Sequence, residues 1–137
     1  MRTLHVGLRV TDLDRAVGFC TAVGYEVVGR VPDSPAGHLT MLKLPGDELV
    51  TLELVHDPAG PGPAGGGGLS HLVIQVDVMA TAVGDLRSRG LEVAEPRSPD
   101  GSAHFLTSWT TDPDGHRIEL VQWPPRHAAG LSGADWA

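Results

Sequence analysis

An α+β fold made of two tandem β-α-β-β-β modules, joined as a curved mixed sheet, is what this sequence predicts. Three observations lead there. The second half of the chain repeats the first, each half reads as a strand, a helix and three further strands, and one helix is too little to cover a four-stranded sheet alone. Displacing the chain by 66 residues superimposes the halves without a gap. His5 falls on His71, Val10 on Val76, Ala16-Val17-Gly18 on Ala82-Val83-Gly84, and Gly24 on Gly90. Glu26-Val27 falls on Glu92-Val93, His38 on His104, and Glu53-Leu54-Val55 on Glu119-Leu120-Val121. That makes 12 identities over the 52 positions from His5 to His56, the mark of an internal repeat.

The elements follow in order. Leu4 to Val10 alternates strictly, with Val6, Leu8 and Val10 on one strand face and His5, Gly7 and Arg9 on the other. Thr11 or Asp12 caps the next helix, Leu13, Ala16, Val17 and Cys20 form its apolar stripe, and Gly24 ends it. Tyr25 to Val31 is a second strand closed by the loop Pro32 to Gly37; His38 to Leu44 is a third, and Pro45-Gly46-Asp47 turns it into a fourth, Glu48 to Val55. Ser70 to Val76 restarts the pattern, Asp77 caps a helix over Met79 to Arg89, and Gly90 ends it. Leu91 to Ala94, His104 to Trp109 and His116 to Trp123 complete the second module. Residues 1–56 and 70–123 are therefore the two modules, 57–69 a linker of Gly and Pro, and 124–137 a loosely held tail that Trp123 and Trp136 could pin. No P-loop lysine follows the linker glycines, so they read as a spacer and not as a phosphate cradle.

Composition narrows the function classes. With 137 residues, 41% hydrophobic and 20% charged, the chain has the make-up of one ordinary globular domain. A net charge of −7 argues against nucleic acid or an anionic membrane as partner, and no apolar run approaches the ~20 residues that span a bilayer. Met1 leads straight into the strand pattern, which gives the expectation of no signal peptide. Cys20 is the single cysteine and cannot form an internal disulfide; it reads as a small buried hydrophobe in a cytoplasmic protein. One lysine against nine arginines points to a GC-rich genome.

The repeat pairs His5 with His71 and Glu53 with Glu119, each histidine 48 residues before its glutamate. By alternation each lies opposite the apolar residues that flank it: Val6 and Leu8, Leu52 and Leu54, Leu72 and Ile74, Ile118 and Leu120. If those apolar faces meet the helices, the four polar side chains face one concavity. Two imidazoles and two carboxylates suit a divalent metal with room left for water. His38 and His104 also pair in the repeat, but they lack a carboxylate partner and read as strand-edge residues, like His56, His116 and His127 at strand ends or in the tail. Thr111-Thr-Asp-Pro-Asp-Gly115 supplies a tight turn into the strand that carries Glu119.

The segments Leu4 to Arg15, Leu52-Glu53-Leu54, Ser70-His71-Leu72 and Asp112-Pro-Asp-Gly-His-Arg-Ile-Glu-Leu120 resemble the vicinal oxygen chelate (glyoxalase, bleomycin resistance and dioxygenase) superfamily. Within it they are similar to glyoxalase I, lactoylglutathione lyase, over His5 to Gln122. The resemblance implies an enzyme that isomerises the hemithioacetal of a 2-oxoaldehyde and a thiol to a 2-hydroxyacyl thioester through an enediolate, as in methylglyoxal detoxification. It implies His5, Glu53, His71 and Glu119 as metal ligands, Glu119 as principal base and Glu53 as its counterpart. It also implies a homodimer in which His5 and Glu53 of one subunit meet His71 and Glu119 of its mate. The short chain, free of long insertions, resembles the type that prefers nickel or cobalt to zinc. Arg9 matches the family arginine that grips a carboxylate of the thiol co-substrate, glutathione. Asp57 stands where the family has asparagine, and Arg97 with Asp100-Gly101 where it has a lysine-glycine pair, which favours another low-molecular-weight thiol such as mycothiol. Three relatives in the superfamily are the alternatives. Acyl-CoA epimerases carry Gln where this chain has Glu53; extradiol-type dioxygenases use only three ligands; metal-free drug- or metabolite-binding members need an aromatic pocket, in a chain only 4% aromatic.

Overall fold

The computed structural model describes residues 3–60, 69–130 and 134; linker residues 61–68 and Trp136 lie outside the described residues. The chain divides into two compact units, Met1–Leu69 with Asp112–Asp114, and Ser70–Thr111 with Gly115–Ala137. Each unit has its own mixed sheet, so the described strands form two sheets where one curved sheet was predicted.

In the first unit the order along the chain is β1 (Val6–Arg9), α1 (Leu13–Val23), β2 (Glu26–Ser34), β3 (Gly37–Lys43) and β4 (Leu52–His56). The sheet runs β1-β4-β3-β2, with β1 parallel to β4 and the other pairs antiparallel. Asp12 caps α1 by accepting from the Arg15 N–H at 3.0 Å. Gly24, at φ 124°, ends it by donating to the carbonyls of Cys20 and Thr21, a conformation only glycine adopts without strain. Ala16 and Cys20 are the buried residues of α1, and Leu8, Leu42, Leu52 and Leu54 those of the sheet. Each buried leucine contributes about 1.5–3 kcal/mol by leaving water.

Two boundaries in this unit differ from the sequence expectation. β2 runs on through Pro32 to Ser34, because it is an edge strand where a missing N–H costs no ladder bond, and a bulge between Val31 and Ser34 absorbs the ring. Glu48 to Thr51 is not strand. The Asp47 carboxylate gathers that stretch into a turn, accepting from the Leu44 N–H (3.0 Å) and the Thr51 hydroxyl (2.8 Å).

The second unit contains β5 (Leu72–Gln75), α2 (Met79–Ser88), β6 (Leu106–Thr111), β7 (Arg117–Gln122) and a short 3-10 turn, Pro125–His127. Its sheet runs β5-β7-β6, with β5 parallel to β7 and β6 antiparallel to it. Ile74, Met79, Val83, Leu86, Ile118 and Leu120 are buried. Three expectations fail here. Leu91 to Ala94 is not a strand: the buried hydroxyls of Ser108 and Thr110 donate to the Ala94 and Glu92 carbonyls, and Pro96, with no N–H, interrupts the pairing between the bond from Ala94 N–H to Trp109 and an isolated bridge of Arg97 with Thr107. Asp77 does not cap α2, whose N-cap is Val78; the Gln122 side-chain oxygen accepts from the Met79 N–H at 2.7 Å instead. The start of the tail is held and not loose. Trp123 stacks on Phe105 at 5.3 Å, and Gln75 donates to the Ala128 carbonyl at 2.6 Å.

The repeat also slips. Glu53 pairs across its hairpin with Met41, but Glu119 pairs with Trp109, so the third strands match at an offset of 68 where the flanking strands keep 66. The second hairpin is shorter by two residues. His38 pairs with His56 on β3 and β4, whereas His104 precedes β6; their coincidence in the ungapped repeat is not a structural equivalence.

Burial also sets the acid–base behaviour of the first core. It pushes the Cys20 thiol up from an ordinary 9.0 to about 12, with the Asp112 charge adding to it. Burial likewise lifts the Tyr25 hydroxyl from 10.0 to about 12, helped by Cys20 and Asp47. Folding favours both neutral forms, so their contribution is fully present below the ordinary values and is lost as pH rises toward the folded ones. The urea midpoint is therefore expected to hold up to about pH 9 and fall between about 9 and 12; a flat profile across that window would contradict this. Among the described residues no helix is long and apolar enough to cross a membrane.

Candidate metal centre

Each unit brings one histidine and one glutamate together on the sheet face turned away from its buried leucines. In the first unit β1 lies beside β4 with Gly7 opposite Glu53, which carries His5 to the same face two residues earlier. His5 Nε2 lies 3.1 Å from Glu53 Oε2, with the side chains 32% and 16% exposed. A Cβ at Gly7 would make only ordinary contact with Glu53 Oε1, at 3.6 Å, and the side chain of Val73 does not prevent the matching pair in the second unit. In the second unit Val73 is opposite Glu119, and His71 Nε2 lies 3.4 Å from Glu119 Oε2, with exposures of 32% and 21%. Ser70 Oγ sits 2.9 Å from His71 Nδ1 and orients the ring. The first unit has Leu4 at that position and no such contact from it.

The donor set fits a metal ion. Metal–nitrogen and metal–oxygen bonds of about 2.0–2.2 Å put neighbouring donors on one ion about 3 Å apart, close to the separation inside each pair. Among the described residues no group of three or more His, Cys, Asp or Glu side chains is gathered, so each unit offers two donors.

The other two predicted site residues are not part of these pairs. Arg9 is exposed at the end of β1, on the His5 face. Asp57 follows β4 and shapes a turn, its carboxylate accepting from the Ala59 N–H at 3.0 Å and its carbonyl from the Gly60 N–H at 3.1 Å. Asp114 has a structural task, accepting from the Thr11 N–H (3.2 Å) and hydroxyl (2.6 Å). Two residues missed by the sequence reading adjoin the second pair. The Trp109 ring meets the His71 ring edge-on at 5.1 Å, and the Arg117 guanidinium lies 4.1 Å over the same indole. The signal was present but hidden, because the ungapped offset matches Trp109 to Lys43 and only the slipped register puts it beside Glu119.

The Glyoxalase/Bleomycin resistance protein/Dioxygenase superfamily model matches residues 2–120. The chain belongs to this superfamily. Its relatives include a probable lactoylglutathione lyase of Synechocystis, 29% identical and covering 89% of this chain and 95% of that one. Lactoylglutathione lyase of Salmonella typhimurium is 29% identical over 89% and 93%, and that of Neisseria meningitidis serogroup A is 30% identical over 89% and 91%. Among solved structures, a glyoxalase I variant from Zea mays is similar with a TM-score of 0.76 and 26% identity; it covers 90% of this chain, which spans 45% of the maize one. An antibiotic-binding protein from Streptomyces has a TM-score of 0.69 at 22% identity over 89% and 96%, a likeness of fold alone. The glyoxalase superfamily thus includes lyases and binding proteins, and this member is a distant homologue of lactoylglutathione lyases.

Proposed function

We propose that this glyoxalase-superfamily protein is a glyoxalase I-type lyase of the cytoplasm, converting the hemithioacetal of a 2-oxoaldehyde and a thiol to a 2-hydroxyacyl thioester. The observation that carries the reading is the duplicated His–Glu pair, His5 with Glu53 and His71 with Glu119, each at the spacing of adjacent metal ligands. A reaction of this class moves a proton between adjacent carbons, which one carboxylate can accept and return, and a second, symmetric carboxylate serves the opposite enantiomer. These four side chains would hold one divalent ion, nickel or cobalt in preference to zinc, and a homodimer sharing ligands between subunits is part of the proposal. The bound ion would supply a Lewis acid for the two adjacent oxygens of the substrate. Glu119 takes the proton as principal base and Glu53 serves as its counterpart, both half-buried, where a carboxylate is less hydrated than in bulk water. Arg9, exposed and on the His5 face, receives a carboxylate of the thiol, and Asp57 adjoins the thiol backbone.

The test is thioester formation from methylglyoxal with glutathione, mycothiol or bacillithiol, by protein stripped of metal and reloaded with Ni(II), Co(II), Zn(II) or Fe(II). Turnover is expected with nickel or cobalt and at least one thiol. Silence across the panel with metal bound would refute the reading and turn attention to acyl-thioester epimerisation.

A further inference from the structure

The two half-sites match in their His–Glu pairs but not in what surrounds them. Beside Glu119 the register places Trp109, and two residues earlier on the same face of β7 stands Arg117. Beside Glu53 the matching neighbour is Met41, and the residue two earlier is Thr51, whose hydroxyl is used by Asp47. The nearby Lys43 donates to the Asp47 carbonyl. Among the matched positions the second pair alone has a cation, Arg117; the first pair has Arg9 on its β1 side, but among the described residues only Arg117 of the two is held by an aromatic ring. Arg117 is exposed and forms no ion pair among the described residues, in a chain of net charge −7, while Arg87 of the same unit is paired with Glu95 at 2.7 Å.

The manner of its placement is informative. The guanidinium lies over the Trp109 ring at 4.1 Å, and that ring touches His71 at 5.1 Å. A guanidinium held over a ring still has N–H groups free of it, able to receive a carboxylate through two parallel hydrogen bonds. The aromatic contact also fixes the side chain, so less freedom is lost when an anion arrives. A positive group this close to a proposed cation site is itself unfavourable until an anionic group comes to it.

We propose that Arg117, held over Trp109, is a specificity-determining residue that binds a carboxylate of the substrate at the rim of the His71–Glu119 half-site. The true substrate then carries an acid group within a few bonds of the reacting carbons, on either its thiol part or its carbonyl part. This rests on the lyase reading for where the reacting carbons lie, but its test needs no turnover.

Binding to the metal-free full-length chain would be followed by calorimetry for two matched pairs of probes: S-methylglutathione with its diethyl ester, and succinate with its dimethyl ester. Wild type is expected to bind the acid of at least one pair at least about tenfold more tightly than its ester. Because Arg9 is the carboxylate site proposed beside the first pair, the variants are made in an Arg9→Met background. There Arg117→Met, which keeps an apolar stem over Trp109, should abolish the preference, and Arg117→Lys should restore part of it. A preference confined to the glutathione pair would place the carboxylate on the thiol, and one confined to succinate would place it on the carbonyl part. Equal binding of acid and ester by wild type in both pairs, or a preference in the Arg9→Met background that survives Arg117→Met, overturns the proposal. Should Arg117→Met fail to fold in that background, Arg117→Gln takes its place with the same two outcomes. Failure of thioester formation would count against the lyase reading alone.

Discussion

Replacing Glu119 by Gln is expected to lower thioester-forming turnover by about 100- to 10,000-fold, the range that a positioned acid or base contributes. The substitution is close to isosteric and keeps an amide oxygen in place of the carboxylate oxygen 3.4 Å from His71. What it removes is the capacity to accept a proton. The loss should therefore fall on kcat, with KM and thermal midpoint near wild type. Glu53→Gln is expected to cost activity as well, because it weakens a proposed metal ligand and removes the base that serves the opposite enantiomer. Steady-state kinetics on both variants reads this directly. Full activity of Glu53→Gln would move the protein toward the acyl-thioester epimerases, which resemble it with Gln at that position.

The second large effect concerns the histidines. His5→Ala and His71→Ala should each weaken Ni(II) binding by at least about 100-fold, a stronger effect than that of residues that only orient a ligand. Neither change should unfold the protein. Both side chains are about one-third exposed, both precede their strands, and neither is among the buried residues of its unit, such as Leu42 and Leu54 in the first and Leu120 in the second. Titration of metal-stripped protein, with circular dichroism as the control for folding, measures the loss. His71→Ala would also free the edge of Trp109, so a change in indole fluorescence should accompany it.

How far the sequence foretold the molecule depends on the range over which each feature is encoded. Alternation with period two is local, so Leu52-Glu53-Leu54 and Ile118-Glu119-Leu120 showed directly which residues would be buried and which would face away. The 48-residue separation shared by both His–Glu pairs was likewise legible, because the parallel pairing of first and last strands is the same in each unit. Features fixed by distant partners were not. Nothing near Asp77 announces that Gln122, 43 residues beyond Met79, will cap α2. Nothing near Leu91 shows that Ser108 and Thr110 will take its neighbours' carbonyls. Register is the most consequential case. The Asp47 turn makes the first hairpin two residues longer than the second, and an ungapped comparison cannot see a shift confined to one strand. That shift is what puts Trp109, and through it Arg117, at the rim of the second half-site.

Under the proposed function the two His–Glu pairs serve one ion. The most direct test counts ions: nickel titrated into metal-stripped protein, with His5→Ala and His71→Ala alongside. One tightly bound ion per chain, weakened in both variants, is the expected result. Two independent ions per chain, or a variant lacking one histidine that binds as tightly as wild type, would contradict it.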